Sequence, residues 1–119
     1  MFEPFGTGYT LKQEDIKMSL EIKSSFDHDH NQWKMEVSGE IDISTAKDFR
    51  EALEKAYSDK KNDITLHFEQ LNYIDSTGLG VIIGAYGKMK EKGNRIQIIN
   101  PRQNIKKLLR ITNLDQILL

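Results

Sequence analysis

The chain has 119 residues, a formal net charge of −1 from 17 basic and 18 acidic side chains, and no cysteine. Hydrophobic residues make up 38% and charged residues 29%, which suits one domain with a real core rather than a disordered chain. The composition excludes disulfides, thiolate zinc sites and cysteine nucleophiles, and the near-neutral balance calls for neither nucleic acid nor an anionic membrane as partner. No apolar stretch approaches the roughly 18 residues of a membrane span, and the N-terminus lacks the charged-then-apolar pattern of a secretion signal. The expected location is the cytoplasm.

Residues 1–17 carry Pro4, Gly6 and Gly8 and show no sustained period, so they read as a flexible N-terminal arm ahead of a domain over 18–119. Phe2, Phe5 and Tyr9 are its apolar residues. From residue 19, "SLEIKSS" alternates Leu20 and Ile22 with polar residues, as a strand does. "DHDHNQ" is a polar turn, and "WKMEVSGEI" puts Trp33, Met35, Val37 and Ile41 on one side at period two. The two runs predict an antiparallel hairpin, with Gly39 weakening the second strand or marking a bulge.

"DISTAKDFREALEKAYSDKKN" predicts a helix. Ser44 or Thr45 would cap it and Asn62 would close it. Its apolar stripe is Ala46, Phe49, Leu53, Ala56 and Tyr57, spaced for packing on a sheet. "DITLHF" predicts a short strand with Ile64, Leu66 and Phe68 on one face. A strand-like run then stops at Asp75, and a helix is expected from Ser76 to about Lys92, ended by Gly93-Asn94. "RIQIIN" is another strand. Pro101 suits the first turn of the next helix, "RQNIKKLLRI", and "NLDQILL" is a last short helix or turn. The order β-β-α-β-α-β-α-α predicts an α/β fold: a small mixed sheet of about four strands with helices packed on it.

Gly78, Gly80, Gly84 and Gly87 need a reason, since each costs roughly 1 kcal/mol relative to alanine inside a helix. Gly84 and Gly87 are expected to let the helix approach a sheet or another helix closely, while Gly78 and Gly80 keep Ser76 approachable. Ser76 itself has two readings. It is an N-cap, or Asp75 caps and leaves the Ser76 hydroxyl free. A phosphate there would meet unpaired amides and the positive end of the helix dipole. It would add roughly −1.5 to −2 charges to the surface.

The stretch "YIDSTGLGVIIGAYGKMKEKG", with "VSGEIDISTA" about thirty residues upstream, resembles the STAS domain, and more closely the bacterial anti-sigma factor antagonists of sporulation and general stress. The resemblance covers residues 19–119. It implies a non-catalytic partner switch without cofactor or metal. The unmodified antagonist binds an anti-sigma factor that is also a serine kinase, and so frees a sigma factor. Phosphorylation of the serine after the motif's aspartate, here Ser76, releases it, and a serine phosphatase restores it. The resemblance places Asp75, Thr77 and Gly78 beside that serine, and Asp42 and Ser44 on the bordering docking surface.

Two other functions stay open. One is a STAS scaffold or sensor in another regulatory complex, without phosphorylation. The other is a small serine hydrolase, although no G-x-S-x-G elbow surrounds Ser76 and no histidine is placed as its base. His28, Asp29 and His30 have metal-ligand chemistry but lie in a predicted turn, where they read as solvated. His67 reads as a core neighbour. Arg102, Lys106, Lys107 and Arg110 form a basic face that reads as solvated, and no aromatics interleave it as nucleic-acid binding would require.

Overall fold

A computed structural model describes residues 19–119. The expectation of an arm over residues 1–17, with Phe2, Phe5 and Tyr9, lies outside the described residues. Strands β1 (Leu20–Asp27) and β2 (Gln32–Ile41) form the antiparallel hairpin, in register from Leu20 opposite Gly39 to Asp27 opposite Gln32. Its turn is built by Asp27, whose carboxylate accepts from the amides of Asp29 and His30 and contacts His30 Nδ1 at 2.8 Å. His28 and His30 are exposed there. Among the described residues no group of three or more His, Asp or Glu could hold a metal ion.

On its other edge β2 has two parallel partners in succession. Gln32–Glu36 pair with β3 (Asp63–His67), and Gly39–Ile41 pair with β4 (Leu71–Ile74). Strand β5 (Ile96–Ile99) extends β3, giving the order β1-β2-β3-β5 with β4 beside the far end of β2. The sheet therefore has five strands rather than about four. The additional one is the run before Asp75. It escapes periodicity because it is four residues long and buries only its ends, Leu71 and Ile74, leaving Asn72 and Tyr73 exposed. The chain turns after Phe68, with Leu71 N donating to Phe68 O at 3.0 Å, and re-enters the sheet against β2.

Gly39 makes that change of partner possible. The register of β2 on β4 slips between Gly39 and Glu40, and Gly39 has φ +102°. The irregularity suggested at Gly39 is present as a register slip, with the extra residue, Asn72, on β4 rather than on β2.

The helices are α1 (Ala46–Asp59), α2 (Ser76–Glu91), α3 (Gln103–Ile111) and α4 (Asp115–Leu118). The predicted stripe of α1 is buried at Ala46, Phe49, Leu53 and Ala56, while Tyr57 is half-buried and donates to Asn94 Oδ1 at 2.6 Å. These side chains join Met35, Val37, Ile41, Ile64, Leu66, Phe68, Ile96 and Ile98 in one core. Alternation along each strand leaves the opposite face polar, with Lys34, Glu36, Ser38 and His67. His67 is half-buried on that face, 3.2 Å from the Thr65 hydroxyl.

Two predicted helix boundaries move. Asn62 does not close α1. Lys60 is its C-cap in extended conformation, and its carbonyl accepts from Trp33 Nε1 at 2.9 Å. Pro101 precedes the N-cap Arg102 instead of entering the first turn of α3. The Arg102 guanidinium folds back onto the β3–β4 connection, donating to Glu69 O at 2.9 Å and to Asn72 Oδ1. One member of the predicted basic face thus holds the loop that launches β4. The end of α2 is as expected. Gly93, at φ +81°, and Asn94 donate to Lys90 O and Met89 O, closing the helix in a Schellman motif.

The glycines of α2 depart from their expected roles. A Cβ at Gly80, Gly84 or Gly87 would meet nothing within 4 Å among the described residues, so the packing role expected of Gly84 and Gly87 has no contact behind it there. A Cβ on the buried Gly78 would lie 2.6 Å from Ile41 Cγ2 and 2.7 Å from Ile74 Cγ1. Those atoms belong to stiff β-branched side chains in strands. Overpacking of this kind costs about 1–3 kcal/mol, partly offset by about 1 kcal/mol of helix propensity. Gly78→Ala is therefore expected to lower the melting temperature in a circular-dichroism melt, and Gly80→Ala to raise it. Equal or opposite shifts would remove the packing role of Gly78.

Candidate functional site

The site forms where β2 and β4 end side by side. Ile41 is in register with Ile74, and Asp75 N donates to Ile41 O at 3.1 Å. Two loops therefore leave the sheet at one place: residues 42–45, leading into α1, and Asp75, leading into α2. Gly78 lies beneath this junction, closed over by Ile41 and Ile74, and seats the first turn of α2 against it. Of the six residues the sequence singles out, Asp42, Ser44, Asp75, Ser76 and Thr77 reach the surface wholly or in part, and Gly78 supports them from within.

The first loop is an Asx turn organised by Asp42. Its Oδ1 accepts from Ser44 N at 2.9 Å, Ser44 Oγ at 2.6 Å and Thr45 N at 3.2 Å. The bond from the Ser44 hydroxyl, helped by the Ser44 and Thr45 amides, holds the Asp42 carboxyl below the usual carboxylate range, against a smaller opposing effect of burial. Neither Ser44 nor Thr45 caps α1 in the expected way. Thr45 occupies the N-cap position without a side-chain cap bond, and its hydroxyl instead donates to Glu40 O at 3.0 Å and accepts from Asp42 N.

The second loop resolves the two readings of Ser76. Asp75 is the N-cap of α2, and its Oδ1 accepts from Gly78 N at 3.1 Å. Ser76 is exposed, and its hydroxyl has no hydrogen-bond partner among the described residues. The amides of Ser76 and Thr77, the first two of the helix, have no intrahelical acceptor. The hydroxyls of the junction thus differ sharply. Thr45 is buried and bonded, Ser44 is tied to Asp42, Thr77 is half-buried, and Ser76 is open. The histidines lie elsewhere, on the hairpin turn and the polar face of β3, and none is hydrogen-bonded to Ser76.

Two residues that sequence reasoning missed belong to the same surface. Ile43, between Asp42 and Ser44, is 81% exposed, and Tyr73, opposite Glu40 on the neighbouring strand, is 47% exposed. Ile43 continues the period-two spacing of Val37 and Ile41 and so looks buried on paper. The Asx turn takes it out of the strand instead. Exposed isoleucine beside an open serine suits a surface that another protein covers.

A family model described as "Mlab, STAS domain" matches residues 24–119. This chain belongs to the STAS domain family. An anti-sigma-B factor antagonist of Listeria monocytogenes is 32% identical to it over 103 residues, covering 87% of this chain and 88% of that protein. The crystal structure of an anti-sigma factor antagonist from Mycobacterium paratuberculosis superposes with a TM-score of 0.69 at 26% identity, covering 84% of this STAS domain chain and 83% of that one. The anti-sigma factor antagonist SpoIIAA in its unphosphorylated form gives a TM-score of 0.72 at 19% identity, over 83% of this chain and 86% of its own. The Bacillus cell fate determinant SpoIIAA in its phosphorylated form gives 0.66 at 19%, over 83% and 89%. At that identity the two SpoIIAA structures speak for the STAS fold. No helix among the described residues is long and apolar enough to cross a membrane.

Proposed function

We propose that this STAS domain is an anti-sigma factor antagonist controlled by phosphorylation of Ser76. The unmodified protein docks on an anti-sigma factor with serine kinase activity and so frees a sigma factor. The docking surface comprises Asp42, Ser44, Asp75 and Thr77, with Ile43 as its apolar anchor and Gly78 as its support. Phosphate on Ser76 releases the partner, and a serine phosphatase removes it. The observation that carries this reading is the exposed, unbonded Ser76 hydroxyl, left free because Asp75 takes the capping role.

The electrostatics favour a switch of this kind. A phosphate on Ser76 adds roughly −1.5 to −2 charges beside the Asp42 and Asp75 carboxylates. The free helix amides accommodate it within the domain, while a partner fitted to the uncharged surface meets repulsion and uncompensated desolvation. The test is to incubate the protein with the kinase and ATP and to read phosphate incorporation by mass spectrometry. One added phosphate is expected on the unaltered chain and none on Ser76→Ala. Undiminished labelling of Ser76→Ala would remove the assignment.

A further inference from the structure

A groove of about 440 Å³ runs between α1 and α2, away from the polar face of the sheet. Its apolar lining includes Leu53 from α1, Ile64 from β3, and Val81 and Met89 from α2. Gly80 and Gly84 also line it, and the empty space their missing side chains leave is part of the groove itself. Each glycine costs roughly 1 kcal/mol of helix propensity and returns no packing among the described residues. The charged residues around it are mostly basic: Arg50, Lys61, Lys88 and Lys92 against Glu54. None of the four cations makes an ion pair with a described residue. Lysines in the last turn of a helix complement its dipole, which accounts for Lys88. Arg50 and Lys61 are not accounted for in that way.

We propose that this groove binds a small amphipathic anion, with an apolar chain seated along Leu53, Val81 and Met89 and a carboxylate or phosphate head held by the flanking cations. The volume is that of a small-ligand pocket, and an apolar lining with a few charged groups at its edge is the usual chemistry of such pockets. The excess of unpaired positive charge selects an anion over a neutral or cationic amphiphile. Thr77 of the proposed docking surface also lines the groove, but the proposal does not rest on phosphorylation of Ser76 or on the antagonist role.

The test titrates the 119-residue chain, uniformly labelled with nitrogen-15, with dodecanoate, dodecyl phosphate and dodecyltrimethylammonium below their micelle concentrations. Saturable shifts of the Gly80, Gly84 and Ala85 amides are expected with both anions and not with the cation. The two anions distinguish a carboxylate head from a phosphate head. Gly84→Leu is expected to fill the groove and abolish the shifts, with no fall in melting temperature because the new Cβ meets no neighbouring element within 4 Å among the described residues. Lys88→Glu combined with Lys92→Glu should weaken binding about tenfold without blocking the groove. No saturable shift with either anion, or equal shifts with the ammonium compound, would overturn the proposal. Shifts of the same amides on raising protein concentration alone would assign the groove to a second copy of the chain, and would also overturn it.

Discussion

Gly39→Ala is expected to destabilise the domain by about 3 kcal/mol, the sum of a strained backbone and a steric clash. At φ +102° an L side chain is strained wherever it points. The added Cβ would also lie 2.2 Å from Ser19 O and 2.9 Å from Ser19 C, and backbone atoms cannot swing aside as a side-chain tip does. Such a loss lowers the melting temperature by roughly 10–15 °C in a domain of this size. Gly93→Ala is the matched control. Gly93 also has positive φ, at +81°, but nothing lies within 4 Å of its Cβ, so only the conformational cost of about 1 kcal/mol remains. Denaturant melts of the two variants should therefore differ by about 2 kcal/mol. Equal losses would show that the approach of Ser19 to the bulge is not the tight contact described. The consequence reaches the site, because the bulge lets β2 leave β3 and pair with β4, and that pairing sets Asp42 beside Asp75.

Phosphorylation of Ser76 is expected to weaken docking on the partner kinase about a hundredfold, equivalent to about 2.7 kcal/mol, while leaving the melting temperature unchanged or slightly raised. The two readouts separate the two bodies that meet the charge. Within the domain, the phosphate lies on the free amides of Ser76 and Thr77 at the positive end of α2, where an anion is stabilised. At the interface it displaces a fitted surface. Calorimetric titration of both forms against the kinase, with thermal melts of each, tests both halves. Ser76→Glu should give a smaller loss of affinity, since a carboxylate carries less charge than a phosphate. Equal affinity of the phosphorylated and unmodified forms would sink the switch. A large fall in melting temperature on phosphorylation would locate its effect in the fold instead.

Much of the architecture was legible in the residues. The hairpin follows from the alternation of Leu20 and Ile22 and of Met35, Val37 and Ile41, because period two places a side chain on alternate faces of a pleated strand. The stripe of α1 and the glycine ending of α2 follow from equally local rules. The D-S-T-G-L-G run also carried the family resemblance, which the match over residues 24–119 supports. As docking residues, Asp42 and Ser44 entered through that resemblance alone. Their spacing does not reveal the Asx turn in which the Ser44 hydroxyl binds the Asp42 carboxylate.

What escaped were the features that depend on a neighbour distant in sequence. Strand β4, strand-like in the sequence but left out of the element order, is too short for a period and takes its place in the sheet because β2 offers it an edge beyond the bulge. Ile43 has the spacing of a buried residue and the exposure of a docking one, because the chain turns out of the sheet at Asp42. Four glycines along one helix look alike in the sequence, yet only Gly78 meets a wall, while Gly80 and Gly84 face an open groove. The sequence by itself determined the class of fold and the sides of each strand and helix that bury, because these rest on local backbone geometry and side-chain polarity, while the serine was singled out by the family resemblance. Only the structure decided which serine hydroxyl stays free, because Asp75 and Ser76 are adjacent and equally able to cap, and which glycine is confined, because that is set by Ile41 on a strand distant in sequence.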